Sequence, residues 1–130
     1  MGKEKNKISY SAVVLDKSSR MRLLNLLSGM IPKEWEKIAH HMTICLGQLP
    51  EDLKKKIGDK VQLSVNGIGL SDKALAVRVE GFYSKNKIPH ITVAIDRKNG
   101  AKPVDSNKIE KWADFGGELY LTGTVEEVPY

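Results

Sequence analysis

Apolar and polar residues alternate along much of this chain, and the pattern predicts a protein built largely from strands. Six stretches show it, within residues 8–15, 41–47, 61–70, 74–81, 90–96 and 117–128. The third and fourth stretches are joined either at residues 66–67 or at residues 71–73, and turn chemistry alone leaves both open. The second joint would place Gly67 and Gly69 inside a strand, where glycine marks a bulge or a close backbone approach.

Helical spacing of apolar residues occurs in four stretches between the strands. The first helix is expected after residue 15, with Asp16 or the pair Ser18-Ser19 as its N-cap and Gly29 as its stop. Residues 32–39, 50–58 and 106–114 predict the other three helices. The stretch at 50–58 carries the most complete helix signals, with proline first, acids in the first turn, lysines in the last and glycine at the end.

The predicted elements follow the order β-α-(α)-β-α-β and then β-β-α-β. This order divides the chain into two halves, each containing one strand that begins with His-x-Thr. Such an arrangement is consistent with an internal duplication, although the halves share no obvious sequence outside these strands. The mixture of helices with antiparallel strands predicts the α+β class.

Composition limits the class of protein further. The 130 residues suffice for one domain, expected to span residues 1–130. Residues 1–7 carry charge without an apolar stretch, so we expect neither a secretory signal nor a membrane span, and a cytoplasmic location follows. Asn6 stands where the myristoylation pattern requires serine or threonine. The single cysteine, Cys45, excludes an internal disulfide and a cysteine-based zinc site.

A net charge of +5 and a pI near 9.3 favour an anionic partner. The lysines are scattered along the chain, so an ordinary solvated surface also explains the charge. The charge alone therefore does not identify a nucleic-acid-binding protein.

The two His-x-Thr phrases, His41-Met42-Thr43 and His90-Ile91-Thr92, have the same pattern of faces. Side chains two residues apart point to the same side of a strand. Each phrase therefore presents a histidine and a threonine on one face and an apolar stripe on the other. Two such strands, side by side or across a cleft, would surround one small polar site with two imidazoles and two hydroxyls.

This set of side chains suits phosphoryl transfer. A neutral histidine takes a proton from the attacking oxygen, a protonated one gives a proton to the leaving oxygen, and threonine hydroxyls bind the non-bridging phosphate oxygens. Histidine fits both roles because its unperturbed pKa of about 6.5 lets both forms exist near neutrality. This chemistry requires no metal and no cofactor. The alternative is that both histidines are ordinary structural residues, but the repeated pattern in a chain with three histidines favours catalysis.

His40 and Cys45 flank the first phrase. In a regular strand His40 points away from His41, which predicts a strand-edge residue and excludes shared metal chelation. Cys45 would lie on the same face as His41 but about 13 Å further along the strand, at a rise near 3.3 Å per residue. A small buried thiol is the expected role of Cys45, and a cross-strand dyad with His90 is the alternative.

The two phrases resemble the hallmark of the 2H phosphoesterase superfamily, the LigT-like RNA cyclic phosphodiesterases. The resemblance implies a bilobal α+β fold in which two pseudo-symmetric antiparallel-sheet lobes, with helices packed outside, flank a central cleft. It also implies metal-independent opening of a 2′,3′-cyclic phosphate at an RNA end or on a nucleotide, or cleavage of a 2′-5′ or cyclic (di)nucleotide linkage. His41 and His90 would be the acid/base pair, and Thr43 and Thr92 the phosphate ligands. Two departures from the family pattern are the short spacing between the motifs and the polar residue at position 40.

The loop at residues 82–89, just before the second phrase, is the candidate for substrate selection. Tyr83 could stack on a base, and Lys85 or Lys87 could meet a neighbouring phosphate. An exposed connection made of ordinary loop residues is the alternative. Arg78 and Arg97 are further cations that could bind phosphate.

These observations favour a hydrolase acting in RNA repair or processing. A non-catalytic RNA-binding domain with the same fold and the same basic surface is the main alternative. The abrupt end at residues 125–130 also fits one module of a larger RNA-repair protein. The expected partner is RNA or a nucleotide with a cyclic phosphate, the expected state is a monomer, and no membrane partner is expected.

Overall fold

A computed structural model describes residues 7–130, so the predictions for the N-terminal signal and for Asn6 lie outside the described residues. Strands dominate this part of the chain, as the alternating pattern predicts. The elements are β1 (Ile8–Leu15), α1 (Lys17–Leu26), β2 (Glu36–Lys37), β3 (His41–Leu46), β4 (Lys60–Leu70), β5 (Ala74–Glu80), β6 (His90–Ile95), β7 (Trp112–Asp114) and β8 (Tyr120–Pro129), with 3-10 helices at Glu51–Lys56, Arg97–Asn99 and Pro103–Lys108.

All strand pairs are antiparallel, and six of the strands close into a barrel. Neighbours follow the order β6-β3-β1-β8-β4-β5, and β5 pairs with β6 to complete the ring. The short strands β2 and β7 add to β6 and β4, respectively. Leu63, Leu75 and Ile91 are among the fully buried side chains of the core. Closure removes the exposed edges that an open sheet of this size would present to solvent.

The barrel consists of two halves with the same pairing pattern. In one half β1 lies between β8 and β3, and in the other β5 lies between β4 and β6. The halves meet where β3 pairs with β6 and where β4 pairs with β8. The α+β class fits roughly, since helices are few. The expected pair of separate sheets is not confirmed, because the strands form one continuous closed sheet.

Each His-x-Thr strand contains a bulge directly after its threonine. In β3 the pairing with β1 jumps from Thr43 to Cys45 and passes over Ile44. In β6 the pairing with β5 jumps from Thr92 to Ala94 and passes over Val93. Because a bulge reverses the alternation of faces, the strict parity expected over residues 41–46 fails beyond Thr43. Cys45 accordingly is buried and Leu46 is exposed.

Several local predictions are confirmed. The first strand has the predicted bounds, and the Asp16 side chain caps α1 by accepting a 2.7 Å hydrogen bond from the Ser19 backbone. The joint between β4 and β5 lies at residues 71–73, so Gly67 falls inside β4, where the pairing with β5 is irregular. Gly58 ends the turn after the 3-10 helix Glu51–Lys56 with a φ of 89°.

Two predicted helices are wrong, and a third is of a different type. The helix expected at 32–39 is a turn followed by β2, because the backbone N–H groups of Ile38 and Ala39 donate to carbonyls of β6. The helix expected at 106–114 is divided between a 3-10 helix and β7, which pairs with β4. The stretch at 50–58 forms a 3-10 helix. Within residues 7–130, no helix has the length and apolar content needed to cross a membrane.

Candidate active site

The four side chains that the two phrases single out line one cleft of about 660 Å³, hereafter the reaction cleft: His41 and Thr43 from β3, His90 and Thr92 from β6. Met42 pairs with Ile91 across these two strands, and both are fully buried. Because neighbouring residues on a strand face opposite sides, burial of this pair turns the flanking polar side chains outward, into the cleft. The structure therefore brings the two phrases together, as the sequence predicts.

The chain bulges immediately before the first phrase, and this changes the position of His40. The Ala39 backbone N–H donates to the Thr92 carbonyl, while Met42 pairs with Ile91. The three residue steps from Ala39 to Met42 therefore lie opposite the single step from Thr92 to Ile91 on β6. Ala39 has a φ of 44°, which non-glycine residues rarely adopt. The prediction that His40 points away from His41 is wrong, because the strand is not regular there. The two Nδ1 atoms lie 2.9 Å apart.

His41 is packed between aromatic rings and a hydroxyl. The Tyr10 ring stacks on it with centroids 4.8 Å apart and planes 28° from parallel. Its Nε2 lies 3.2 Å from the Thr43 hydroxyl oxygen. Burial, together with the charges of His40 and His90, lowers the pKa of His41 to about 4. His41 is therefore neutral at pH 7 and able to accept a proton.

His90 is held by its backbone surroundings. It is 9% exposed, and its Nδ1–H donates a 2.7 Å hydrogen bond to the Ile88 carbonyl. Because a carbonyl can only accept, this contact fixes the neutral tautomer and leaves Nε2 as the unprotonated nitrogen. Burial lowers the pKa of His90, and the hydrogen bond to Ile88 opposes that shift.

The Thr92 hydroxyl has a partner that no sequence pattern predicted. The Ser106 hydroxyl lies 2.8 Å from it, and Ser106 is only 1% exposed. Ser106 belongs to the 3-10 helix Pro103–Lys108, which contributes Pro103, Val104 and Asn107 to the wall of the reaction cleft. The Thr92 hydroxyl also donates to the Pro103 carbonyl at 3.4 Å. Ser106 and Pro103 together therefore hold the Thr92 hydroxyl, whereas the Thr43 hydroxyl contacts His41.

The three predicted substrate-binding residues lie in different places. Lys85 lines the reaction cleft, and Lys87 lines a neighbouring pocket that also includes His90. Tyr83 is 48% exposed and lines neither cavity. Sequence analysis missed Asn86, which lines both cavities, although its position between the two predicted lysines was a usable signal.

The remaining candidates from the sequence make contacts within the fold. Cys45 lines the reaction cleft but is only 7% exposed, and its Sγ lies 3.4 Å from the Gln48 carbonyl oxygen, as expected of a small buried thiol. Arg78 forms an ion pair of 2.8 Å with Asp114, and Arg97 forms one of 2.7 Å with Glu36. Neither arginine lines the reaction cleft.

Within the part of the chain that the structure describes, no group of three or more histidine, cysteine, aspartate or glutamate side chains is arranged to hold a metal ion. The contact between His40 and His41 brings two imidazoles together without a third such ligand. What the cleft offers is two imidazoles, the two threonine hydroxyls, one lysine, and the polar groups of Tyr10, Cys45, Asn86 and Asn107. These are proton donors, proton acceptors and anion ligands.

Comparison with known proteins identifies the family of the chain. The family model of the fungal tRNA ligase phosphodiesterase domain matches residues 26–119, which is more than half of the chain and includes both phrases. No curated protein matches the chain. The chain therefore belongs to the family of fungal tRNA ligase phosphodiesterase domains, which is part of the 2H phosphoesterase superfamily.

Proposed function

We propose that this protein hydrolyses a 2′,3′-cyclic phosphate at an RNA end or on a nucleotide, using His41 and His90 as a general acid/base pair without a metal ion. The observation that carries the proposal is the presence of both His-x-Thr phrases in one cleft. Membership in a family of tRNA ligase cyclic phosphodiesterase domains supports 2′,3′-cyclic phosphodiesterase activity in RNA processing. The basic surface of the chain suits an anionic substrate.

In the proposed reaction, water attacks the phosphorus of the cyclic diester. The neutral histidine takes a proton from the water as the new P–O bond forms, and the protonated histidine gives its proton to the ribose oxygen as the old P–O bond breaks. The ring opens to a ribose phosphomonoester with one free hydroxyl. Each histidine is expected to contribute about 10²- to 10⁴-fold to the rate.

The two threonines stabilise the charge that develops during this reaction. Their hydroxyls would donate hydrogen bonds to the non-bridging oxygens, which become more negative as water adds. Contacts with the Ser106 hydroxyl and the Pro103 carbonyl hold the Thr92 hydroxyl before the substrate arrives, and the longer contact with Pro103 can be exchanged for one with phosphate. The Thr43 hydroxyl can exchange its contact with His41 for one with phosphate. Lys85 adds a positive charge at the cleft wall.

A substrate panel tests this function. The purified protein is incubated with 2′,3′-cyclic nucleotides, a short RNA ending in a 2′,3′-cyclic phosphate, a 2′-5′-linked oligonucleotide and a cyclic dinucleotide, and the products are identified by mass spectrometry and ³¹P NMR. The proposal expects ring opening of the first two substrates. Turnover of only the 2′-5′-linked oligonucleotide or the cyclic dinucleotide would contradict the proposed substrate and leave the two-histidine mechanism in place. Saturable, salt-dependent RNA binding without any product would favour the binding-domain alternative.

The lowered pKa values of both histidines predict an acidic optimum for kcat/KM. Catalysis requires one proton on the pair, and kcat/KM reports the ionisation of the free enzyme. Burial and the charges of His40 and His90 place the pKa of His41 at about 4, and burial places the pKa of His90 below its ordinary value. The singly protonated form is therefore lost as pH rises above about 6.5, and kcat/KM should fall about tenfold per pH unit there. Kinetics between pH 4 and 9 at constant ionic strength measure this.

The profile of kcat should lie at higher pH than the profile of kcat/KM, because a bound phosphate diester anion favours the protonated histidines. The His40→Asn variant should also move the kcat/KM profile upward, since it removes a charge that lowers the pKa of His41. A kcat/KM that stays constant between pH 6.5 and 8.5 would contradict this account of the site.

A further inference from the structure

A second pocket, hereafter the side pocket, adjoins the reaction cleft on the other side of His90. Its volume is about 260 Å³, and it shares His90, Asn86 and Asn107 with the cleft. Pockets for larger organic ligands usually begin at about 300 Å³, so this one suits a single planar group. Because the buried His90 side chain lines both spaces, a ligand in the side pocket would lie next to the reacting phosphate.

The walls of the side pocket combine a flat apolar surface with amide groups. Trp112 and Ile109 supply the apolar part, and the Trp112 ring centroid lies 6.3 Å from that of His90. Among the hydrogen bonds of residues 7–130, none uses the side-chain amide of Asn86 or Asn107. A side-chain amide both donates and accepts, which is the chemistry that reads the edge of a nucleobase. An aromatic face beside it provides stacking.

The fold makes room for Trp112 at this position. Trp112 begins β7 and pairs with Gly69 of β4. A Cβ atom at Gly69 would lie 2.7 Å from the Trp112 ring and 2.8 Å from Ile109. Glycine at this position thus lets the indole lie flat on the sheet, and the Trp112 Nε1–H donates to the Ile109 carbonyl at 3.2 Å. The ring is held in place and its remaining surface is open to the pocket.

We propose that the side pocket binds the nucleobase of the nucleotide that carries the cyclic phosphate, with Trp112 stacking on the base and Asn86 and Asn107 hydrogen-bonding its edge. This inference rests on the proposed function for the position of the phosphate. One ribose separates the base from the phosphate of the same nucleotide, which matches two spaces separated by one side chain. Lys87, exposed at the pocket, is placed to meet the phosphate of the preceding nucleotide in an RNA.

Kinetics with amide variants test this subsite. Asn86→Ala/Asn107→Ala should raise KM for nucleoside 2′,3′-cyclic phosphates by about tenfold, the equivalent of one or two lost hydrogen bonds. Because both amides also line the reaction cleft, the decisive readout is the preference of the protein for a nucleoside 2′,3′-cyclic phosphate over ribose 2′,3′-cyclic phosphate, which lacks a base. The ratio of the two kcat/KM values should fall about tenfold in the variant. Asn25→Ala, on the exposed face of α1, is the matched control. Unchanged KM for all the nucleosides would overturn the proposal.

Binding gives a readout that does not depend on turnover. The chain has two tryptophans, so Trp35→Phe leaves Trp112 as the only indole. Nucleoside 2′-monophosphates should quench its fluorescence saturably, ribose 5-phosphate should not, and the double amide variant should weaken the nucleotide Kd by about tenfold. Quenching without turnover of any cyclic phosphate would retain the subsite and reject the proposed function. Turnover without quenching and without an effect of the amide variants would reject the subsite alone.

Discussion

Replacing His41 or His90 with alanine is expected to lower kcat by about 10²- to 10⁴-fold while the protein stays folded. Both imidazoles line the reaction cleft, and one must accept a proton while the other donates one. Since the two act in a single step, their effects should not multiply. The double variant should therefore lose less activity than the product of the two single losses. Steady-state kinetics with 2′,3′-cyclic nucleotides measure the effect.

His40→Ala is the matched control for these substitutions, because His40 contacts His41 but does not line the cleft. At its own pH optimum this variant should have a kcat within about tenfold of that of the unsubstituted protein, which corresponds to a change of at most about 1.4 kcal/mol in the activation free energy. Circular dichroism and thermal unfolding verify that each variant is folded. Full activity of either folded His41→Ala or folded His90→Ala would exclude that histidine from catalysis.

Removing either threonine hydroxyl should have the second largest effect, a loss of about 10²-fold in kcat/KM. Thr43→Val and Thr92→Val keep the shape of the side chain but cannot donate to a phosphate oxygen. The corresponding serine variants retain the hydroxyl and should keep most of the activity. Comparison of the valine and serine variants at each position therefore isolates the effect of the hydroxyl group. A valine variant as active as its serine partner would exclude that threonine from phosphate binding.

The two valine variants should differ in stability. Thr92→Val removes the hydrogen-bond partner of the buried Ser106 hydroxyl, which should cost about 1–3 kcal/mol of unfolding free energy. Thr43 contacts only the partly buried His41 ring, so its replacement should cost less. Urea unfolding measures the difference, and equal midpoints for the two variants would contradict the role given to Ser106.

The alternation of apolar and polar residues predicted the strands because each of them has one face in the barrel core. Every second residue of such a strand is therefore apolar. β1 has the predicted bounds for this reason. The helix signals at 32–39 and 106–114 failed because β2 and β7 gain backbone hydrogen bonds from neighbouring strands that lie far away in sequence. Tertiary pairing thus overrode local propensity.

The candidate site was predictable up to the point where regular strand geometry ends. Both His-x-Thr phrases face the cleft as their parity indicates. The bulges at Ile44 and Val93, and the one before His41, leave no pattern in the sequence, so the position of His40 was predicted wrongly. Ser106 and Asn107 reach the site through the fold alone, and no local spacing links them to Thr92.

The most direct test of the two-histidine mechanism is ring opening of an RNA 2′,3′-cyclic phosphate in the presence of EDTA, measured for the protein and for His41→Ala/His90→Ala. The two-histidine mechanism predicts that turnover persists in EDTA and disappears in the double variant. Turnover that EDTA abolishes and added metal restores, or turnover that survives loss of both histidines, would contradict it.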